Sequence, residues 1–167
     1  MIYKVFSNRN TDFLLNMYKT FVRPQMEYGT EVWYPFLMKD IKMIEKVQEN
    51  FVRRIPSLAR LTSYEDRCKS VNLDTLFYRR VFKDMVLVFK IVNNLVDIPF
   101  DSLFTFSHNV NLRGHSLKLF VQRSNLNIRK NFFSNRVVDI WNSLPDHDGT
   151  MKRPPANGLL SKHLGQA

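Results

Sequence analysis

Residues 39–56 read Lys39-Asp40-Ile41-Lys42-Met43-Ile44-Glu45-Lys46-Val47-Gln48-Glu49-Asn50-Phe51-Val52-Arg53-Arg54-Ile55-Pro56. Ile41, Ile44, Val47, Phe51, Val52 and Ile55 step by three or four, while Lys42, Glu45, Lys46, Glu49 and Arg53 take the other side. At 3.6 residues per turn this spacing gathers the apolar side chains into one stripe. It predicts an amphipathic helix of about four turns, stopped at Pro56, whose ring cannot continue the hydrogen-bond ladder.

The same logic extends in both directions. Upstream, Thr11 or Asp12 can cap a helix carrying Leu14, Leu15 and Tyr18. Pro24 either ends that helix or opens the next, Gly29 weakens any helix over residues 25–33, and Tyr34-Pro35 marks a break. Downstream, Ser63 with Asp66 resembles a capping box before a short helix through Cys68. After Asn72, Asp74 or Thr75 can cap the longest helix, whose stripe is Phe77, Val81, Met85, Val88, Phe89, Val92 and Leu95. Helices apolar on one side only must bury those sides against one another. The expected fold is therefore mainly α, a helical bundle.

Beyond Pro99 the character changes. Phe100, Leu103, Phe104 and Phe106 crowd a short polar-punctuated stretch, and Leu117 and Leu119 alternate with Lys118 and Phe120, as in a short extended segment or one helical turn. Phe132, Phe133, Val137, Ile140 and Trp141 return to helical spacing, closed by Ser143-Leu144-Pro145. Residues 146–167 hold turn formers and little apolar content, the composition of a loose, disordered tail. Four segments result: 1–60, 61–100, a basic segment over 101–145, and the tail.

Composition narrows the classes. The chain has 167 residues, 44% hydrophobic and 24% charged, which suits one core-forming unit and excludes wholesale disorder. A single cysteine excludes a disulfide framework and a thiolate zinc cage. With no apolar run of about twenty residues and no signal-peptide core at the start, an intracellular protein, nuclear or cytoplasmic, is expected, neither secreted nor membrane-spanning.

Net charge is +10, and its distribution says more than its size. Residues 1–101 carry sixteen basic and twelve acidic side chains, and residues 139–167 carry three of each. Residues 102–138 carry six basic side chains and no acid: Arg113, Lys118, Arg123, Arg129, Lys130 and Arg136. A polyanion would meet that block unopposed. The plainer alternative is a solvated basic face. Aromatic residues interleave with the cations, and rings can stack on unpaired bases. Phe132 and Phe133 suit core positions of the Trp141 helix better than such a stacking role.

Other chemistries find little footing. His108, His115, His147 and His163 are scattered without helical pairing, short of the three or four ligands a zinc site needs. Cys68 lies between Arg67 and Lys69, which would activate an exposed thiol, but its place on the short helix suits a core residue better. Tyr64-Glu65-Asp66-Arg67 resembles a polymerase Tyr-x-Asp-Asp turn only superficially, supplying one Asp where a two-metal site needs two. No cofactor is implied.

Three clusters nevertheless look like the region just after the catalytic palm in reverse transcriptases of jockey-type non-LTR retrotransposons, a class of long interspersed elements. The first is Tyr18-Lys19-Thr20-Phe21-Val22-Arg23-Pro24 with Glu27-Tyr28-Gly29 and Val32-Trp33. The second is Lys39-Asp40-Ile41 with Ile44-Glu45-Lys46-Val47-Gln48, then Arg53-Arg54-Ile55-Pro56 and Ser63-Tyr64-Glu65-Asp66-Arg67. The third is Arg113-Gly114-His115-Ser116-Leu117, then Asn127-Ile128-Arg129-Lys130-Asn131-Phe132-Phe133-Ser134-Asn135-Arg136-Val137 and Trp141-Asn142-Ser143-Leu144-Pro145. The resemblance covers roughly residues 1–145. It implies that residues 1–60 are thumb-like, that 61–100 continue the helices, and that 101–145 resemble the post-polymerase segment. In that family the thumb grips template and primer through their backbones.

The palm with its paired Asp residues and the endonuclease of such elements are missing from these residues, so the chain is not expected to act as an enzyme by itself. The expectation is a non-catalytic reverse-transcriptase fragment that binds RNA or DNA without sequence preference. Its phosphate contacts would be Arg113, Lys118, Arg123, Arg129, Lys130 and Arg136, with His115 as a lesser polar contact. The missing palm and fingers are an implied partner. The alternative is a helical interaction module, or a domesticated remnant without nucleic-acid function, offering the stripe Phe77, Val81, Met85 and Val88 to another protein.

Overall fold

The computed structural model describes residues 10–107 and 115–145. These are mainly helical, and their one isolated antiparallel bridge pairs Phe106 with Leu119. They divide into two compact units, one made of the residues up to Gly29 with Pro35–Arg79, the other of Thr30–Tyr34 with the residues from Arg80 on. The cut falls inside the longest helix, between Arg79 and Arg80. The tail at 146–167 lies outside the described residues.

In the first unit, helix α1 (Thr11–Met17) starts on Asn10, whose side-chain oxygen accepts the Asp12 N–H at 2.9 Å. The cap thus stands one residue before Thr11 and two before Asp12, and Asp12 instead places its carboxylate in the first turn, where the helix dipole favours it. The chain continues through a π-helical turn (Tyr18–Val22) into α2 (Arg23–Met26). In that turn the Arg23 N–H reaches back to the Tyr18 carbonyl. The widened ladder comes immediately before Pro24, the residue with no N–H to give, so the helix passes the proline without ending. Gly29 then takes φ 63°, a left-handed conformation cheap only for glycine.

Helix α3 (Met38–Arg53) is the amphipathic element of the opening stretch, followed by a 3₁₀ turn at Pro56–Leu58 and helix α4 (Tyr64–Ser70). Ser63 stands at the cap position of α4 without a side-chain cap bond, so the expected capping box does not form. Leu14, Leu15, Tyr18, Phe51, Val52, Ile55, Leu58, Cys68 and Leu73 make the core, with Tyr18 stacked on Phe51 at 4.3 Å. Helix α3 is rotated from its apolar stripe. Val47 is 38% exposed, while Gln48 is fully buried.

Hydrogen bonding explains the rotation. Gln48 Oε1 accepts from the Tyr18 hydroxyl at 2.8 Å, and its Nε2 donates to the Asp74 carbonyl at 2.8 Å and the Tyr64 hydroxyl at 3.0 Å. Tyr64 in turn donates to Glu45. The Glu45 carboxylate accepts the N–H groups of Leu76 and Phe77 at 3.0 and 3.1 Å, and Thr75 Oγ1 accepts that of Tyr78 at 3.2 Å. Three N–H groups at the start of helix α5 (Leu76–Val92) are satisfied in this way, two of them by a carboxylate from another helix. Nearby, buried Glu27 accepts from Arg79 Nε and Nη2.

Burial raises the phenols of Tyr18 and Tyr64, with Glu45 adding to both, and pushes Tyr34 of the second unit up to about 12. A phenol whose folded value lies above its ordinary value near 10.0 stays protonated in the native state while the unfolded chain ionises. Its stabilising contribution is complete below that ordinary value and is lost as pH rises towards the folded one. Stability should fall by about 1.4 kcal/mol per pH unit for each such tyrosine above that point. Parallel alkaline titrations of tyrosinate absorbance and far-UV circular dichroism should show ionisation and helix loss in one cooperative step. Ionisation of all six tyrosines with the helix signal intact would contradict this.

In the second unit α5 is followed by α6 (Asn127–Lys130) and α7 (Phe133–Asn142). Met85, Val88, Ile91, Phe104, Leu119, Phe133, Val137, Val138 and Trp141 form its core. Helices α4 and α5 both end at an asparagine with positive φ, Asn72 and Asn94, with the next N–H returning to Cys68 and Lys90. Asparagine tolerates this left-handed stop almost as glycine does. Phe77, Val81, Met85 and Val88 are all buried, so the stripe that suggested an interaction module is core.

Candidate nucleic-acid interface

The end of α7 holds the stretch 115–119. Trp141 Nε1 donates to the Leu117 carbonyl at 2.7 Å. The Asn142 side chain acts as a strand edge, accepting the Leu119 N–H at 2.9 Å and donating to the Leu119 carbonyl at 2.8 Å. On the other side Ser107 N–H bonds the Lys118 carbonyl and Phe120 N–H the Thr105 carbonyl, both at 2.8 Å. The stretch is therefore extended, the first of the two conformations its alternation allows.

Lys118 is buried within this clamp, its ammonium donating to the Asn142 carbonyl. A cation at a helix C-terminus satisfies a carbonyl that has no partner in the helix and complements the dipole. His115 is half-buried, with Nε2 3.0 Å from the Trp141 carbonyl and its ring edge-on to Trp141. Both residues are fixed to the end of α7. Of the expected phosphate contacts, these two engage backbone carbonyls of the chain itself, and Lys118 is buried in doing so.

Arg136 is held in a buried ion pair. Its Nε and Nη2 each lie 3.0 Å from an oxygen of Asp84, and the two side chains are only 9% and 4% exposed. The same guanidinium donates to the carbonyls of Thr30 and Asn131 at 3.2 and 3.3 Å, and its Cζ lies 4.5 Å from the Tyr34 ring centroid. Burial pushes the Asp84 carboxyl up, and Arg136 pulls it back. A bidentate, stacked guanidinium of this kind has no free edge for a phosphate.

Three candidates remain at the surface. Arg123, Arg129 and Lys130 are exposed, and none has an ion pair among the described residues. Arg113 lies outside the described residues. Helix α6 is fixed behind these cations. Lys130 N–H bonds the Leu126 carbonyl at 3.0 Å, and Asn135 Nδ2 bonds the Arg129 carbonyl at 3.0 Å. Arg129 Nη2 reaches Gln122 Oε1 at 3.3 Å, and its Cζ sits 5.4 Å from the Phe132 ring centroid.

The adjacent phenylalanines separate. Phe133 is core, while Phe132 is 48% exposed. Phe120, Val121, Leu126 and Ile128 are exposed beside the cations. Gln122, which positions Arg129, carries no signal in the sequence that would single it out from other polar residues.

Elsewhere the chemistry is sparse. Cys68 is buried, burial pushes its thiol up, and its sulfur lies 3.7 Å from Gln48 Nε2, so the flanking cations do not activate it. Among the described residues no group of three His, Cys, Asp or Glu side chains could hold a metal ion, and no helix is long and apolar enough to cross a membrane.

No protein-family profile and no solved structure matches the chain. It is similar to an uncharacterized Caenorhabditis elegans protein, B0403.1, with 27% identity over 82 residues, or 48% of this chain and 41% of that protein. The chain thus spans less than half the length of the curated relative it matches.

Proposed function

We propose that this chain is a non-catalytic helical piece of reverse-transcriptase ancestry, of the jockey-type retrotransposon class, that binds RNA or DNA through backbone phosphates. The ancestry rests on the three sequence clusters and their order. The binding role rests on one observation: Arg123, Arg129 and Lys130 stand exposed together in a stretch that has no acidic residue from 102 to 138.

The salt dependence of binding tests it. Each phosphate neutralised on a single strand contributes about −0.7 to the slope of log affinity against log salt, so these three cations supply about −2. Six engaged cations would supply about −4, but two of the six are buried in ion-pair or helix-end contacts. The triple substitution Arg123→Ala, Arg129→Ala, Lys130→Ala should flatten the slope by about 2 while leaving the circular dichroism unchanged. A slope indifferent to the three changes would remove the proposal.

A further inference from the structure

We infer that residues 120–132 form a stacking site for unpaired bases, with Phe120 and Phe132 offering ring faces and Arg123, Arg129 and Lys130 holding the phosphates between them. This rests on the nucleic-acid reading above and goes beyond it by naming the strand state that the site selects.

Both rings stand exposed beside buried neighbours. Leu119 is core, paired across the Phe106 bridge, while Phe120, the next residue, is 53% exposed. Phe132 is extended, at φ −66° and ψ 148°, next to buried Phe133. Each exposed ring thus stands one residue from a buried neighbour. A phenyl ring left in water forgoes the gain its burial would bring, here at two positions beside cations.

Arg129 joins the two stretches. It bonds Gln122, two residues after Phe120, and lies over the Phe132 ring. In a duplex the base faces are already stacked and only edges line the grooves, and a phenyl ring has no donor or acceptor with which to read edges. In a single strand the faces are free, and aromatic rings interleaved with cations are the means of holding them. Leu126 and Ile128, exposed in the same stretch, are aliphatic and would equally suit a lipid surface, so vesicles belong in the test.

Full-length protein should be titrated by fluorescence anisotropy with a mixed-sequence RNA strand, the matching duplex, an abasic strand of equal length, and phosphatidylserine vesicles. The RNA strand should bind more tightly than the abasic strand. Phe120→Leu with Phe132→Leu should weaken RNA-strand binding by about tenfold or more and leave the duplex and abasic strand unchanged. Phe132→Trp should retain binding and show indole quenching by the RNA strand alone. Equal binding of the RNA and abasic strands, or insensitivity to the leucine changes, would overturn the stacking site and leave phosphate binding standing. Failure to bind any nucleic acid, or tighter binding to vesicles, would overturn both.

Discussion

Arg136→Ala is expected to destabilise the second unit by about 3–5 kcal/mol, because it leaves the Asp84 carboxylate buried without its partner. The Thr30 and Asn131 carbonyls lose a donor at the same time, and the Tyr34 ring loses the cation stacked on it. Arg136→Lys should restore little, since one ammonium cannot reproduce two parallel bonds to a carboxylate and a flat face to an aromatic ring. Urea unfolding followed by circular dichroism measures the effect. Asp84→Ala should cost a similar amount, and the double variant should cost clearly less than the two together, as for residues in one network. A phosphate contact would behave oppositely: affinity and its salt dependence would drop while the urea midpoint stayed put. That second outcome would overturn the structural role assigned to Arg136.

Gln48→Leu is expected to cost about 2–4 kcal/mol although it puts an apolar residue of similar size into a fully buried position. The Tyr18 hydroxyl loses its acceptor in a fully buried position, and the Asp74 carbonyl loses a donor. Tyr64 keeps its bond to Glu45, which limits the damage at that end of the network. Val47→Ala, by contrast, should shift stability by only about 0.5 kcal/mol or less, because Val47 is partly exposed to water and its truncation leaves no buried polar group without a partner. Read from the sequence stripe alone, the order of these two effects would be reversed. Unfolding midpoints showing Val47→Ala as the more damaging change would contradict the hydrogen-bond network described for α3.

The comparison at residues 47 and 48 shows where a sequence pattern stops informing. Period-3.6 spacing was enough to find α3, α5 and α7, because each carries a long apolar stripe that only burial can satisfy. It could not fix the rotation of α3 about its axis. Buried hydrogen bonds from Tyr18, Tyr64 and the Asp74 carbonyl outweigh one valine, and none of those partners is local. The sequence cannot choose Asn10 as the cap of α1 over Thr11 or Asp12, because Asn, Thr and Asp are all competent caps and stand side by side. The π turn before Pro24 was invisible, since the sequence offered only an ending or a beginning at a proline.

The candidate interface was half legible for a similar reason. An acid-free run of cations is a property of linear order, whereas charge pairing is a property of space. Arg136 meets Asp84, 52 residues earlier, and Lys118 meets a helix end formed 24 residues later. Arg123, Arg129 and Lys130 stayed exposed because they fall in and beside a short turn that has no apolar stripe to bury. The split between Phe132 and Phe133 could not be seen in advance, because both fit helical spacing and only the extended backbone at Phe132 turns its ring away.

Amphipathic periodicity, in itself, determined that this polypeptide is helical and roughly where its long helices run, since that pattern needs no partner to be recognised. Which polar groups go inside, and which cations remain free to meet an anion, was decided only when distant helices closed on one another. Desolvation and hydrogen-bond geometry act between neighbours in space, and linear order does not contain those neighbours.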